Sequence, residues 1–315
     1  MLRDPLNEPP PAGTRCSSGP GSCVRLGNAL GTFAFGTFLL LFMGPLWVVA
    51  VLGEGVEFCV PSRCKGAYRE GLARSLIFVI VLSWRLVVTL CFWIRVDVDG
   101  FRDFRASLGS TGRPCIMLAN HTSFMDSILV VSMWPLAKAV RVRALFGAHI
   151  FRMPLLGRLA RVMGHVEVPF KDFRAHGSMA VDVELMTQRI ANLQEHLRAG
   201  GCTAWYPEGT LNRGDPRHVG TFRAGGFATP CKVDVEIWCV AFVGNATCWP
   251  IGAALGGRPA RIKARVWRLC ESSHQWAECV GERAVGNGAT EQERTIAMAD
   301  FARGEIQAAV DALLG

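Results

Sequence analysis

The chain has 315 residues, of which 50% are hydrophobic and 19% charged, with a net charge of +8. That length suits one sizeable domain with appendages, and the hydrophobic content is rich for a soluble protein and points to membrane contact. The basic balance suits anionic lipid surfaces and phosphate groups; no basic stripe with interleaved aromatics and no zinc-finger spacing is present, which argues against nucleic acid as a partner.

Residues 1–25 are rich in Pro, Gly and Ser without a hydrophobic period, and predict a disordered tail rather than a cleavable secretion signal. Residues 26–53 carry no charge. As a helix they would span ~42 Å against a hydrocarbon core of ~30 Å, with Pro45 expected to kink or divide them. A second apolar segment, 75–94, is interrupted by Arg85. An arginine at mid-span costs ~2.5–3.5 kcal/mol on insertion scales, so this segment is expected to tilt, to let Arg85 snorkel, or to lie in the interface. Residues 26–94 therefore read as a membrane anchor with two hydrophobic segments, either a spanning hairpin or a V-shaped anchor in one leaflet.

From about residue 95 strand and helix signals alternate. Strands are expected at 115–119, 141–146, 165–168, 202–206, 236–243 and 262–267, and helices at 124–134, 155–163 and 182–199. In the last of these Met186, Ile190, Leu193 and Leu197 recur at spacings of four, three and four, and Gly200-Gly201 ends it. This alternation predicts an α/β domain over 95–285, a mixed sheet flanked by helices, with a C-terminal helix within 286–315. The twelve cysteines show no Cys-x2-Cys pair or Cys/His metal spacing and suit reduced thiols of a cytosol-facing protein, a Cys59–Cys64 disulfide being the open exception.

The most informative run is Asn120-His121-Thr122-Ser123-Phe124-Met125-Asp126. Five steps of about 100° keep His121 and Asp126 off one face of a regular helix. They meet if His121 lies in a strand-to-helix turn and Asp126 in the first helical turn. Ser123-x-x-Asp126 reads as a capping box and supports that geometry. An imidazole steered by a carboxylate is a general base for a hydroxyl proton. Asn120 would orient the turn or support an oxyanion. A second run, Tyr206-Pro207-Glu208-Gly209-Thr210, ends a strand. There Gly209 permits close backbone approach and N–H groups suited to phosphate, Thr210 adds a hydroxyl, and Glu208 fixes the loop or bonds a glycerol hydroxyl.

With Pro154-Leu155-Leu156-Gly157 and Gly164-His165-Val166 between them, these motifs resemble the glycerolipid acyltransferase family, the 1-acylglycerol-3-phosphate acyltransferases and their relatives, over about 92–243. The resemblance implies a membrane-bound enzyme that moves an acyl chain from acyl-CoA, as co-substrate, to the free hydroxyl of a lysophospholipid, first of all lysophosphatidic acid. It needs no cofactor or metal, His121 is the base and Asp126 its orienter. The location implied is the endoplasmic reticulum or another intracellular membrane, with the catalytic domain facing the cytosol. No Gly-x-Ser-x-Gly elbow points to a serine acyl-enzyme.

Two departures remove cations that the family uses. Leu211 follows Glu-Gly-Thr where the family has arginine, and Phe170, followed by Lys171, stands where the middle block has another. Lys171, Arg213 and Arg223 are the candidates to replace them, Arg223 foremost because Thr221-Phe222-Arg223-Ala224-Gly225-Gly226-Phe227 also resembles a family stretch. The alternatives are another acceptor (glycerol-3-phosphate or another lysophospholipid), a transacylase using phospholipid donors, and a lipid-binding relative without catalysis. Val130, Val131, Met133 and Trp134 read as core or as an acyl groove, and His149, His165 and His176 as bystanders. Two glycosylation sequons begin at Asn120 and Asn245, the first overlapping the base.

Overall fold

Two long apolar helices open the computed structural model, which describes residues 22–169, 181–286 and 288–315. Helix α1, Ser22–Glu57, runs on through Pro45, and α2, Lys65–Leu90, returns beside it. The helix that carries the second apolar segment thus begins ten residues before it, through the charged run 65–74, and ends before residue 94, where β1, Ile94–Asp99, begins. There follow α3 (Phe101–Ser107), β2 (Cys115–Ala119), α4 (Met125–Met133), α5 (Leu136–Ala139), β3 (Val142–Gly147), α6 (Ala148–Arg152), α7 (Leu156–Val162) and β4 (Val166–Val168). The chain continues with α8 (Val183–Arg198), β5 (Cys202–Trp205), α9 (Ala228–Lys232), β6 (Glu236–Val243), α10 (Asn245–Cys248), β7 (Ala260–Cys270), α11 (Ser273–Val285) and α12 (Glu291–Leu314).

The strands form one sheet in the order β1-β7-β6-β2-β5-β3-β4. Strands β6, β2, β5, β3 and β4 are parallel neighbours, β7 runs antiparallel to β6, and β1 runs parallel to β7. This is the mixed sheet that the alternation predicts. Every residue of β2 is buried, as expected for a central parallel strand covered on both faces. On one face Met117, Ala119, Trp238, Val240 and Phe242 pack with α1, α2 and α4. On the other, Ile116, Leu118, Ile237, Cys239 and Ala241 pack with α8, α11 and α12. The register sets Leu118 beside Trp205. The two motifs that continue these strands therefore leave the sheet at the same edge, as chemistry at the carboxyl ends of parallel strands requires.

Arg85 does not snorkel. Its Nε donates to the Ser132 carbonyl at 2.9 Å and its Nη2 to that of Trp134 at 2.5 Å. These carbonyls sit at the end of α4, where no intrahelical donor remains, so the guanidinium caps that helix and ties α2 to the α/β unit. The outward faces of the helical pair stay apolar and exposed, with Phe33, Leu40, Leu41 and Leu52 on α1 and Phe78, Leu82 and Leu86 on α2. Cys59 and Cys64 are exposed free thiols, and the described cysteines are all unpaired. The expected tail up to residue 21, and Phe170, Lys171 and His176, lie outside the described residues.

Gly157 shows why the Pro-x-x-Gly block is needed. A Cβ there would stand 2.2 Å from the Phe151 carbonyl oxygen, so only glycine lets α7 start against α6.

Candidate active site

After Ala119 the chain leaves β2 and turns into α4 within six residues. Asp126 holds that turn. Its Oδ2 accepts from the backbone N–H groups of Thr122 at 2.8 Å and Ser123 at 3.0 Å, and lies 3.2 Å from His121 Nδ1. Its Oδ1 accepts from Asn245 Nδ2, which α10 supplies. Asp126 is 0% exposed, so each of these partners offsets the cost of burying a carboxylate. The capping box forms in half. The Asp126 carboxylate reaches back to Ser123 N, while Ser123 Oγ accepts from Met125 N at 3.1 Å and donates to the Trp249 carbonyl at 2.9 Å.

The imidazole of His121 lies flat on Tyr206, with ring centroids 3.8 Å apart and 8° between the planes. Tyr206 donates to Ser127 Oγ at 3.2 Å, and burial, with the Asp126 charge second, pushes its phenol well above the ordinary value. With Nδ1 on Asp126 and one face on Tyr206, His121 has one ring orientation and leaves Nε2 for the cleft that it lines.

Glu208 turns inward. Its Oε1 accepts from His121 N at 2.8 Å and its Oε2 from Gly220 N at 3.0 Å, so one carboxylate ties the β2 turn to the β5 loop and to the segment after it. Asn212 N donates to the His121 carbonyl at 2.7 Å and closes the same junction. Burial raises the Glu208 pKa, the two backbone donors working against it. Glu208 thus fixes the loop, one of the two roles open to it from sequence.

The backbone N–H of Gly209 does not face a ligand, because it donates to the Tyr206 carbonyl at 2.9 Å. What Gly209 provides is room. Its φ is +74°, and a Cβ would stand 2.4 Å from Arg223 Nε, so glycine lets the Arg223 side chain lie across the loop. Thr210, Arg213 and Arg223 line the cleft with His121 and Glu208.

Asn120 anchors the start of the turn, which suits the first of the two roles open to it from sequence. It is 1% exposed, its Nδ2 donates to the Phe242 carbonyl at 3.0 Å, and its Oδ1 accepts from Phe242 N at 2.8 Å. Both ends of the amide extend the β2–β6 pairing, so the side chain is committed to the sheet. Neither sequon presents an accessible side chain, since Asn245 is also 1% exposed and donates to Asp126.

Four contributors escape a reading of the sequence. Tyr206 was visible only as the start of a motif. Asn245, 119 positions from Asp126, carried only a sequon signal. His149 lines the cleft, its pKa lowered by burial and then by the charge of nearby His121, so it is not remote from the site. Arg152, from the same short helix, joins Arg213 and Arg223 along the cleft. His165 accepts from Ala144 N at 3.2 Å and is pushed down to about 4 by burial and by Arg143. Of the four apolar residues after the turn, Val131 lines the main cleft, Val130 and Trp134 a smaller void beneath it, and Met133 belongs to the core.

The cleft spans about 2600 Å³, and apolar side chains form most of its wall. An imidazole held by a buried carboxylate, three arginines and a long apolar recess suit chemistry on an amphipathic, anionic molecule.

A chloroplastic 1-acyl-sn-glycerol-3-phosphate acyltransferase of Brassica napus is 25% identical over 174 residues, 55% of this chain and 44% of the relative. One of Arabidopsis thaliana is 26% identical over 174 residues, 55% of this chain and 43% of the relative. The match therefore spans less than half the length of either plant protein. The crystal structure of PlsC, the 1-acyl-sn-glycerophosphate (LPA) acyltransferase of Thermotoga maritima, superposes with a TM-score of 0.59 at 17% identity, covering 92% of this chain and 98% of that one, a likeness of fold. Residues 95–243, just under half of the chain, match the family described as Acyltransferase, and over that region the chain is similar to 1-acyl-sn-glycerol-3-phosphate acyltransferases.

Proposed function

We propose that the chain is a membrane-bound O-acyltransferase that moves an acyl group from a thioester, acyl-CoA, to the free hydroxyl of lysophosphatidate, giving phosphatidate. The observation that carries this reading is His121, its Nδ1 on the buried Asp126 carboxylate and its Nε2 left to the cleft. His121 takes the proton of the acceptor hydroxyl as its oxygen attacks the thioester carbonyl. Asp126 holds the tautomer and stabilises the imidazolium, and the proton passes to the departing thiolate. Arg213 and Arg223 hold the acceptor phosphate, and the recess beneath α1 holds the acyl chain of the donor.

The membrane-facing element is the exposed apolar surface of α1 and α2. Both helices are long and apolar enough to cross a membrane. Yet α2 is tied to α4 through Arg85, and α1 meets the loop at Gly257 so closely that a Cβ on Gly31 would stand 2.6 Å from its carbonyl oxygen. Helices docked along one side to an α/β unit suit burial in one leaflet better than a crossing, which brings the mouth of the cleft to the lipid surface. Release of the protein from liposomes by high salt alone would contradict this mode of attachment.

The testing experiment is incubation of purified protein in detergent or liposomes with radiolabelled acyl-CoA and a panel of acceptors: lysophosphatidate, lysophosphatidylcholine and glycerol-3-phosphate. An acyl carrier protein thioester serves as a second donor, since the plant relatives are chloroplastic. Labelled phosphatidate from acyl-CoA and lysophosphatidate is the expected product. Transfer to none of the acceptors from either donor would overturn the reading.

A further inference from the structure

The cleft has two apolar arms, one on each face of the sheet. Side chains alternate along a strand, so Trp205 and Tyr206, consecutive at the end of β5, point to opposite layers. Tyr206 stacks on His121 and packs with the layer of α1 and α2, whereas Trp205 packs with Leu197 and Phe227 in the other layer. Both line the same cleft. The arm on the Tyr206 side runs beneath α1, past Phe33, Gly36 and Leu40. The arm on the Trp205 side is walled by Val168, Met186, Ile190, Leu193 and Gly226.

Three observations show that the second arm is more than slack packing. Met186, Ile190 and Leu193, spaced four and three apart on α8, turn one apolar face inward while Thr187, Gln188, Ala191 and Asn192 between them are exposed. Trp205 is 8% exposed, its indole N–H has no hydrogen-bond partner among the described residues, and of the four buried indoles in that state it alone lines the cleft. The volume of about 2600 Å³ exceeds the roughly 300–1,000 Å³ of a site for one drug-sized ligand.

We propose that the arm between β5 and α8 holds the acyl chain that the acceptor lysolipid already carries, while the arm beneath α1 holds the chain being transferred. The assignment rests on the acyltransferase reading above. A lysophospholipid brings one chain and the thioester brings another, and one pocket under His121 cannot seat both. The segment that carries Arg223 also supplies Gly225 and Gly226, so a phosphate held at Arg223 sets the acceptor's glycerol at the mouth of the Trp205 arm. The linkage oxygens of that lipid accept hydrogen bonds, which suits the unpaired indole donor.

Ile190→Trp fills this arm from a half-buried helix position, away from His121. Its kcat/KM for a long-chain lysophosphatidate is expected to fall about tenfold, with transfer to a short-chain lysophosphatidate and the preference among donor chain lengths unchanged. Ile190→Ala, which cannot overpack, is expected to shift acceptor preference toward bulkier chains and leave donor chain preference as in the wild type. A shifted donor profile, or an equal loss with every acceptor, would overturn the assignment. Equilibrium binding of radiolabelled long-chain lysophosphatidate to wild-type and Ile190→Trp protein reads the same arm without turnover. If the wild type transfers nothing, the acyltransferase reading fails alone. Weaker binding by the variant then still supports the arm as a lysolipid site, and unchanged binding rejects it.

Discussion

Around His121 both carboxylates are paired, whereas Arg152, Arg213 and Arg223 line the same cleft with no carboxylate partner among the described residues. The first region is buried and closed on itself: Asp126 gathers two backbone N–H groups, an imidazole and an amide, and Glu208 gathers two more N–H groups. The second is exposed cation on flexible stems. The difference separates two tasks. A base that must meet a hydroxyl at one angle needs its position fixed before substrate arrives. A phosphate can be held by mobile guanidinium groups whose positions tolerate substitution. Leu211, where the family these motifs resemble carries an arginine, lines the same cleft beside these cations.

The comparison breaks first at Asp126. Asp126→Ala removes the partner of His121 Nδ1 and two N–H acceptors at once. The expected result is a loss of about 100- to 10,000-fold in kcat together with a lower melting temperature, followed by enzyme assay and calorimetry. An unchanged kcat would show that the carboxylate serves the turn alone.

Next in size is the arginine rim. Arg213→Ala with Arg223→Ala should raise KM for lysophosphatidate about tenfold or more, leave kcat within a few-fold, and leave the melting temperature unchanged, because neither side chain is buried or paired. A collapse of kcat with KM unaltered would place these cations at the reacting atoms instead of the head group.

Asn245→Ala comes third. It deprives the buried Asp126 of one donor and should cost about 1–3 kcal/mol of stability by chemical denaturation. Activity should fall with it but survive, since His121 keeps its own bond to the carboxylate.

The smallest effect concerns pH. Glu208 has a folded pKa raised above the ordinary carboxylate value of 4.5. As pH rises from that value through the folded one, the unfolded state loses its proton first, so this group's contribution to stability falls with rising pH. Glu208→Gln should flatten that part of the pH–stability curve. The amide keeps one acceptor for two backbone donors, so a modest overall loss of stability should accompany the flattening. A curve of unchanged slope would reject the assignment.

The parts of this site legible in the sequence are those fixed by short distance or by strand register. His121 and Asp126 meet across one tight turn that Ser123 and the apolar run after it announce. Glu208 reaches His121 because β2 and β5 are parallel neighbours in register, and both strands read clearly from their apolar runs. Helix α12 falls within the 286–315 expected for a C-terminal helix, and a capping box, Thr290 with Glu293, opens it. Asn245 was not legible, since nothing local ties it to a residue on another helix. Helix α11 was missed because its buried positions include Ser273 and Gly281 and make a weak apolar stripe. Arg85 misled for a related reason: hydropathy treats it as a charge in lipid, whereas its partners are two carbonyls of a helix 47 and 49 positions away.

The central claim is that the His121 imidazole removes the acceptor's proton, and the direct measurement is transfer from radiolabelled acyl-CoA to lysophosphatidate by His121→Ala beside the wild type. Lysophosphatidate binding and the melting temperature are followed in the same preparations. The account predicts transfer lowered by about 100- to 10,000-fold with binding and fold retained. Transfer at the wild-type rate in a folded, lipid-binding variant would contradict it.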